Sequence, residues 1–151
     1  MIYFNRAQDN ARQPSSAMTK AEFERLAHFR YQLRRFLRFS EEVAREHGTT
    51  SLQYLLMLQI KGFPGREWAT VGELAERLQA KHHSVVSLVT RCETLGLVSR
   101  SASGDDRRRV EVKLTRKGEQ CLEKLALLHR AELQSLKGKF VVPDMKTARS
   151  G

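Results

Sequence analysis

From residue 19 onward, runs in which apolar side chains recur every three or four positions alternate with short polar breaks, and the spacing predicts five helices around one hairpin. Thr19, with Glu22 three residues on, reads as a capped start for a helix to His47-Gly48, with Phe23, Leu26, Ala27, Leu33, Phe36, Leu37, Val43 and Ala44 on its apolar stripe. Phe29, Tyr31 and Phe39 fall off that stripe, so this long helix has two apolar faces. One face serves the chain's own core; the other is free for a second copy, or for the chain's own last helix. Thr49-Thr50-Ser51 caps a second helix from Leu52 to Lys61, with Leu52, Leu55, Leu56, Leu58 and Ile60 expected inside, and Gly62-Phe63-Pro64-Gly65 ends it. A short extended piece, Glu67-Trp68-Ala69, places Trp68 as packing at the base of the hairpin.

Thr70 then caps a third helix ending near Leu78, with Val71, Leu74, Ala75 and Leu78 inward. After a turn of three or four residues around Gln79-Ala80-Lys81, a fourth helix carries Val85, Leu88, Val89, Cys92 and Leu95 on one stripe and stops at Gly96. Two short helices joined so tightly form a helix-turn-helix. Opposite the stripe stand His82, His83, Ser84, Ser87, Thr90 and Arg91, hydrogen-bonding side chains of modest length with no acid among them, as a helix reading a major groove requires.

From Arg109 to Leu114 the period changes to two, with Val110, Val112 and Leu114 on one side and Arg109, Glu111 and Lys113 on the other. Leu97 to Ser101 is a second strand candidate, and Ala102 to Asp106, with Gly104, supplies the turn between them. The resulting hairpin carries Arg107, Arg108 and Arg109 at its tip, a compact cationic probe for a groove or for phosphates. Pairing of those arginines with Asp105 and Asp106 in a solvated loop is the alternative. A last helix follows Thr115, with Leu122, Leu125, Leu128, Leu133 and Leu136 periodic, and fades at Lys137-Gly138-Lys139.

Charge narrows the function. The 151 residues carry 27 lysines and arginines against 17 acids, a net charge of +10, so an anionic partner comes first. No run of 18 apolar residues exists and residues 1–18, with Pro14-Ser15-Ser16, read as a polar flexible arm without signal-peptide order, so a membrane is disfavoured and the expected location is the cytoplasm. Cys92 and Cys121 sit at apolar-periodic positions in no metal-like spacing and read as core residues, with a redox role as the alternative. There is no Ser/His/acid set, metal pair of histidines or phosphate loop, and Glu41-Glu42, as helix neighbours, do not face each other; neither an enzyme nor a cofactor or metal is expected.

Turn, reading helix, Gly96 and basic hairpin in that order resemble the MarR-type winged helix-turn-helix transcriptional regulators. The resemblance rests on the third and fourth helices, on Leu95-Gly96-Leu97-Val98 leading into the wing, and on Asp106-x-Arg108 followed by Leu114-Thr115, and it spans roughly residues 20–137. It implies a mainly α (α+β) fold: a winged helix-turn-helix with a two-stranded β wing and long N- and C-terminal helices for dimerisation. In those terms the chain divides into an arm (1–18), a single domain (19–139) and a basic polar tail (140–151). Within the domain lie the helix-turn-helix (70–96), the wing (97–114) and dimerisation helices (19–47 and 115–139).

The resemblance further implies that His82, His83, Ser84, Ser87 and Arg91 contact bases and phosphates with Lys81 at the entrance. Arg108 reaches the adjacent minor groove while Asp106 braces the wing, and Arg107 and Arg109 add phosphate contacts. It implies a homodimeric repressor on a pseudo-palindrome of double-stranded DNA, released by a small aromatic ligand bound between the DNA-binding lobe and the dimer helices. Lys81 and His82-His83 stand where members often carry small hydroxyl residues, and the usual last long helix is missing after Pro143. The rival readings are a winged-helix module that docks on protein without specific DNA binding, and an RNA-binding winged helix. Phe29 and Tyr54, near the presumed ligand cleft, read as core rather than sensor.

Overall fold

The computed structural model describes residues 17–104 and 106–145, excepting the side chains of residues 103 and 106–108. Its elements are α1 (Lys20–Glu46), α2 (Ser51–Lys61), β1 (Trp68–Thr70), α3 (Val71–Leu78), α4 (His82–Thr94), β2 (Val98–Ser103), β3 (Asp106–Leu114) and α5 (Arg116–Ser135). Threonine hydroxyls start four of the five helices. Thr19, Thr50 and Thr70 each accept from the backbone N–H three residues on, and Glu22, Gln53 and Glu73 reciprocate in full capping boxes. Thr115 accepts from Gly118 N at 3.0 Å.

The core centres on α2, which touches α1, α3, α4, α5, β1 and β3. Leu56, Met57 and Ile60 are fully buried there, joined by Leu74 from α3, Val85, Val89 and Cys92 from α4, Val112 from β3 and Leu125 from α5. Leu52, expected inside, is 54% exposed. The Thr50 cap sets the rotation of the helix: it turns Gln53 and Tyr54 inward and leaves Leu52 on the outer face. At the far end of the helix-turn-helix, Leu95, expected on the buried stripe of α4, is exposed because α4 ends at Thr94 and the chain turns there toward β2.

Three strands form the sheet, in the order β1-β3-β2, all antiparallel. The expected two-stranded wing thus gains Trp68–Thr70, which pairs with Lys113, Val112 and Glu111. Both wing strands are longer than their sequence pattern implied, and a bulge interrupts their register between Ala102 and Ser103. Arg107, Arg108 and Arg109 consequently belong to β3 and not to the turn, which lies around Gly104 in the left-handed region at φ +43°.

α1 packs on α2 and α5 by Phe39, Ser40, Val43 and Ala44. Phe23, Leu26 and Leu37, expected on the inward stripe, are exposed; so are Leu128 and Leu133 of α5. At the meeting of α1, α2 and α5, His129 is buried with its ring stacked on Tyr54 at 4.3 Å between centroids and Phe36 and Phe39 edge-on. Its Nδ1 lies 2.7 Å from Leu125 O, which can only accept, so Nδ1 carries hydrogen; in the neutral ring Nε2 accepts from Ser40 Oγ at 2.8 Å. Phe140, placed by its sequence in the tail, rests its ring on Phe29 at 5.5 Å.

Candidate nucleic-acid interface

Residues 70–114 bring the polar face of α4 and the wing to one side of the core. α3 and α4 are joined through Gln79, whose backbone is left-handed at φ 50° and whose side-chain amide donates to Glu76 O at 2.7 Å. A non-glycine residue tolerates that conformation when local hydrogen bonds hold it. On α4, Val85, Leu88, Val89 and Cys92 are buried, and His82, His83, Ser84, Ser87, Thr90 and Arg91 all stand exposed. Lys81 is the N-cap of α4 and makes no side-chain capping bond, so the first turn keeps backbone N–H groups available to an anion. Ser87 Oγ and Thr90 Oγ1 donate back to His83 O and Val86 O at 3.2 and 3.0 Å. In that state the two hydroxyls offer acceptor lone pairs outward, a match for the amino groups of adenine and cytosine.

The wing is tied to α4 at its root. Arg100 Nη2 meets Glu93 Oε1 at 3.0 Å, and Arg100 Nε and its backbone N reach Oε2 at 3.4 and 3.3 Å. The side-chain bonds from Arg100 hold the Glu93 carboxyl below the usual range of a glutamate. Nothing in the periodicity of either element announces this bridge; the signal was an acid and a base seven apart across the Gly96 turn. From the other side α5 grips the same corner, with Thr115 N donating to Leu97 O at 3.0 Å and Lys117 Nζ to Leu95 O at 2.8 Å.

Between α4 and the wing lies an open cleft of about 890 Å³. His82 and Val86 line it from α4, Arg100 to Ala102, Arg109 and Val110 from the wing, and Thr70 to Glu73 from the start of α3. Of the residues expected to touch DNA, the cleft brings together His82 and Arg109, while Lys81, His83, Ser84, Ser87 and Arg91 stand outside its lining. Arg109 lies over the Trp68 ring, 5.3 Å from its centroid. Asp106, Arg107 and Arg108 lie in β3 by their backbone, and the contacts expected of their side chains fall outside the described residues. Val86, which the sequence reading did not single out, adds an apolar contact of the kind a thymine methyl takes.

The sequence profile of the MarR family matches residues 47–109, from the end of α1 through the first part of β3. A MarR family protein from Bacillus stearothermophilus aligns over 83% of this chain and 86% of its own, with 26% identity and a TM-score of 0.65. The fold is that of a MarR-family transcriptional regulator. AbsC, a MarR family regulator from Streptomyces coelicolor, superposes with a TM-score of 0.72 at 21% identity, covering 85% of this chain and 86% of AbsC. NadR, solved in complex with 4-hydroxyphenylacetate, does so with a TM-score of 0.67 at 18% identity, covering 86% of each. No curated protein matches by sequence.

MarR family members are transcriptional regulators and not enzymes, and this fold supports a DNA-binding regulator. Among the described residues no cluster of His, Cys, Asp or Glu could hold a metal ion, and no helix is long and apolar enough to cross a membrane.

Proposed function

We propose that the protein is a sequence-specific regulator that binds double-stranded DNA as a homodimer in the cytoplasm, represses by blocking polymerase access to a pseudo-palindromic site, and is released by a small aromatic ligand. The observation that carries this reading is the shared cleft: reading helix and wing line one open concavity whose acid, Glu73, is occupied by Arg66 and Thr70. Phosphate contacts from Lys81 and Arg107 supply affinity, and His82, His83, Ser84, Ser87 and Arg91 discriminate bases. Arg108 enters the minor groove and Asp106 braces the wing.

Exposed apolar side chains on α1 and α5, Phe23, Leu26, Leu37, Leu127, Leu128 and Leu133, with Val141 and Val142 beyond, support a second copy as the partner of these helices. An apolar concavity of about 540 Å³ between α2 and α5, lined by Tyr54, Leu58, Ala126 and Phe140 with Arg130 and Lys137 at its polar points, supports a small aromatic acid as ligand. NadR, with the same fold, was solved with such a molecule. The unit we assign to this work is 19–139, flanked by the arm 1–18 and tail 140–151.

Selection of bound duplexes from a random pool tests the reading. An enriched inverted repeat with half-sites about one helical turn apart is the expected result. Arg108→Ala should weaken binding to every sequence and flatten the salt dependence by about one phosphate contact, whereas Arg91→Ala should cost about 1–3 kcal/mol mainly at one base position. Failure of the pure protein to retard any duplex at low salt would overturn the reading in favour of a protein-docking module, and preference for structured RNA would move it to that substrate.

A further inference from the structure

Arg109 is the one arginine of the wing's triplet whose side chain is described, and it does not extend the hairpin. In the register of β1 on β3, Trp68 stands opposite Lys113, four positions from Arg109 on the same face of the sheet. At about 3.3 Å per residue the two backbones are roughly 13 Å apart, yet the Arg109 guanidinium lies 5.3 Å from the Trp68 ring centroid. Both long side chains must therefore reach along the sheet toward each other, Arg109 back toward the body of the protein.

Trp68 is itself held from the helix side. The Arg66 guanidinium lies 3.9 Å from the Trp68 centroid and 4.2 Å from that of Phe63, and Arg77 of α3 lies 4.8 Å from Phe63. Arg66 is ion-paired to Glu73, whose other oxygen accepts from Thr70 N and Thr70 Oγ1 at 3.1 and 2.8 Å as the cap of α3. Rings and guanidinium groups alternate from α3 to the wing: Arg77, Phe63, Arg66, Trp68, Arg109. A hairpin of two strands is marginal by itself, so what fixes its angle to the helix-turn-helix must come from such ties.

We propose that Trp68 and Arg109 are positioning residues of the wing: their stack, anchored to α3 through Arg66 and Glu73, sets where the wing stands relative to the reading helix. Arg109 acts as a brace and not as a phosphate ligand. The inference rests on the DNA-binding reading for its consequence and on the fold alone for its mechanism, and the two are measured separately.

Hydrogen exchange by mass spectrometry on the free protein reads the brace. Trp68→Leu and Arg109→Ala should each speed exchange of the hairpin amides between 100 and 110 by about two- to fivefold, as loss of one exposed cation–π contact implies, with α4 unchanged. Trp68→Phe, which keeps a ring, should restore most of the protection. The single tryptophan of the chain makes a second reporter: its emission should shift in Arg109→Ala. Unchanged hairpin exchange in Arg109→Ala, an exposed position whose loss leaves the core intact, overturns the proposal whether or not the protein binds DNA.

In gel shifts, Trp68→Leu should lose at least as much as Arg109→Ala, since it also removes the Arg66 stack, and the double variant should lose no more than Trp68→Leu, because the Trp68–Arg109 contact is shared. Neither should add to the loss caused by Arg108→Ala. Equal losses for Trp68→Leu with and without Arg108 would assign Trp68 to something other than the wing. A wild-type protein that ignores duplex DNA while the exchange result holds would sink the DNA reading and leave the brace standing.

Discussion

Gly118 offers a test in which helix propensity and tertiary packing predict opposite signs. It occupies the first turn of α5, where a Cβ would lie 1.9 Å from Leu97 O, 2.9 Å from Leu97 C and 3.3 Å from Leu97 Cα. All three are backbone atoms at the root of the wing, so no side chain can swing aside. Reaching ordinary contact requires a displacement of roughly 1.5 Å. α5 is held in place there by Thr115 N on Leu97 O at 3.0 Å, by the Thr115 hydroxyl on Gly96 O, and by Lys117 Nζ on Leu95 O at 2.8 Å.

Propensity alone makes Gly118→Ala stabilising by about 1 kcal/mol. Forced overpacking costs up to about 3 kcal/mol, and loss of one backbone hydrogen bond adds about 1 kcal/mol. The net expectation is a destabilisation of about 2–3 kcal/mol, or about 8–12 °C in Tm for a chain of this length. Thermal melts followed by circular dichroism at matched protein concentration, since the Tm of the proposed dimer would depend on concentration, measure it. Gly72→Ala is the control: it also lies in a helix's first turn, a Cβ there meets nothing within 4 Å, and it should gain about 0.5 kcal/mol. A Gly118→Ala melt at or above that of the wild type would refute the close approach of α5 to the wing root.

The two cysteines should separate by reactivity. Burial pushes the Cys92 thiol up to about 11, so about one molecule in a thousand carries its thiolate at pH 8, whereas Cys121 is half-buried and its upward shift by burial is partly offset by Lys124 and Lys117. A disulfide reagent followed by mass spectrometry should label Cys121 in the native protein and Cys92 only after denaturation; equal rates would contradict the packing of α4. Ser40→Ala leaves the buried Nε2 of His129 without its hydroxyl and should cost about 1–3 kcal/mol in urea unfolding, whereas an unchanged midpoint would mean the Ser40–His129 bond is not made. The backbone hydrogen bond from Thr19 lowers the Glu22 carboxyl below its ordinary 4.5, so Glu22 contributes stability above that value and loses it as pH falls through the lower folded-state one. Amide exchange in the first turn of α1, corrected for its intrinsic rate, should accelerate over that acid range in the wild type and lose the dependence in Thr19→Ala.

What was legible in the sequence was what depends on neighbours a few residues apart. The threonine caps of the first three helices follow from a hydroxyl meeting an N–H three residues on, and the outward row of α4 from a repeat of 3.6 against Val85, Leu88, Val89 and Cys92. The helix-turn-helix and wing were readable on those grounds. What escaped depends on partners distant in the chain. The extended piece at Trp68 is legible but its pairing is not: β1 is three residues long, too short to show a period of two, and its partner is β3. The stripe read for α1 put Phe23 and Leu26 inward and Phe39 off it, because a helix with two apolar faces shows its orientation only when α2 and α5 are placed. Arg109 looked like a free probe for the same reason: the alternation of β3 shows its face of the sheet but not the reach of a long side chain along it.

Those nonlocal ties converge on the wing. α4 holds its root through Glu93 and Arg100, α5 through Thr115, Lys117 and Gly118, and the β1 edge through Trp68 and Arg109. The grip of α5 matters for the proposed release by ligand, because the apolar concavity beside Tyr54 is built on the same helix. A ligand there can alter DNA affinity only by binding two placements of α5 unequally. Since the helix backbone sits directly against Leu97 at Gly118, small inward shifts are blocked, and outward shifts must first break the Thr115 to Leu97 hydrogen bond. Coupling between concavity and wing should accordingly be a switch between two discrete packings and not a graded movement, and DNA must weaken the ligand by the same factor by which the ligand weakens DNA.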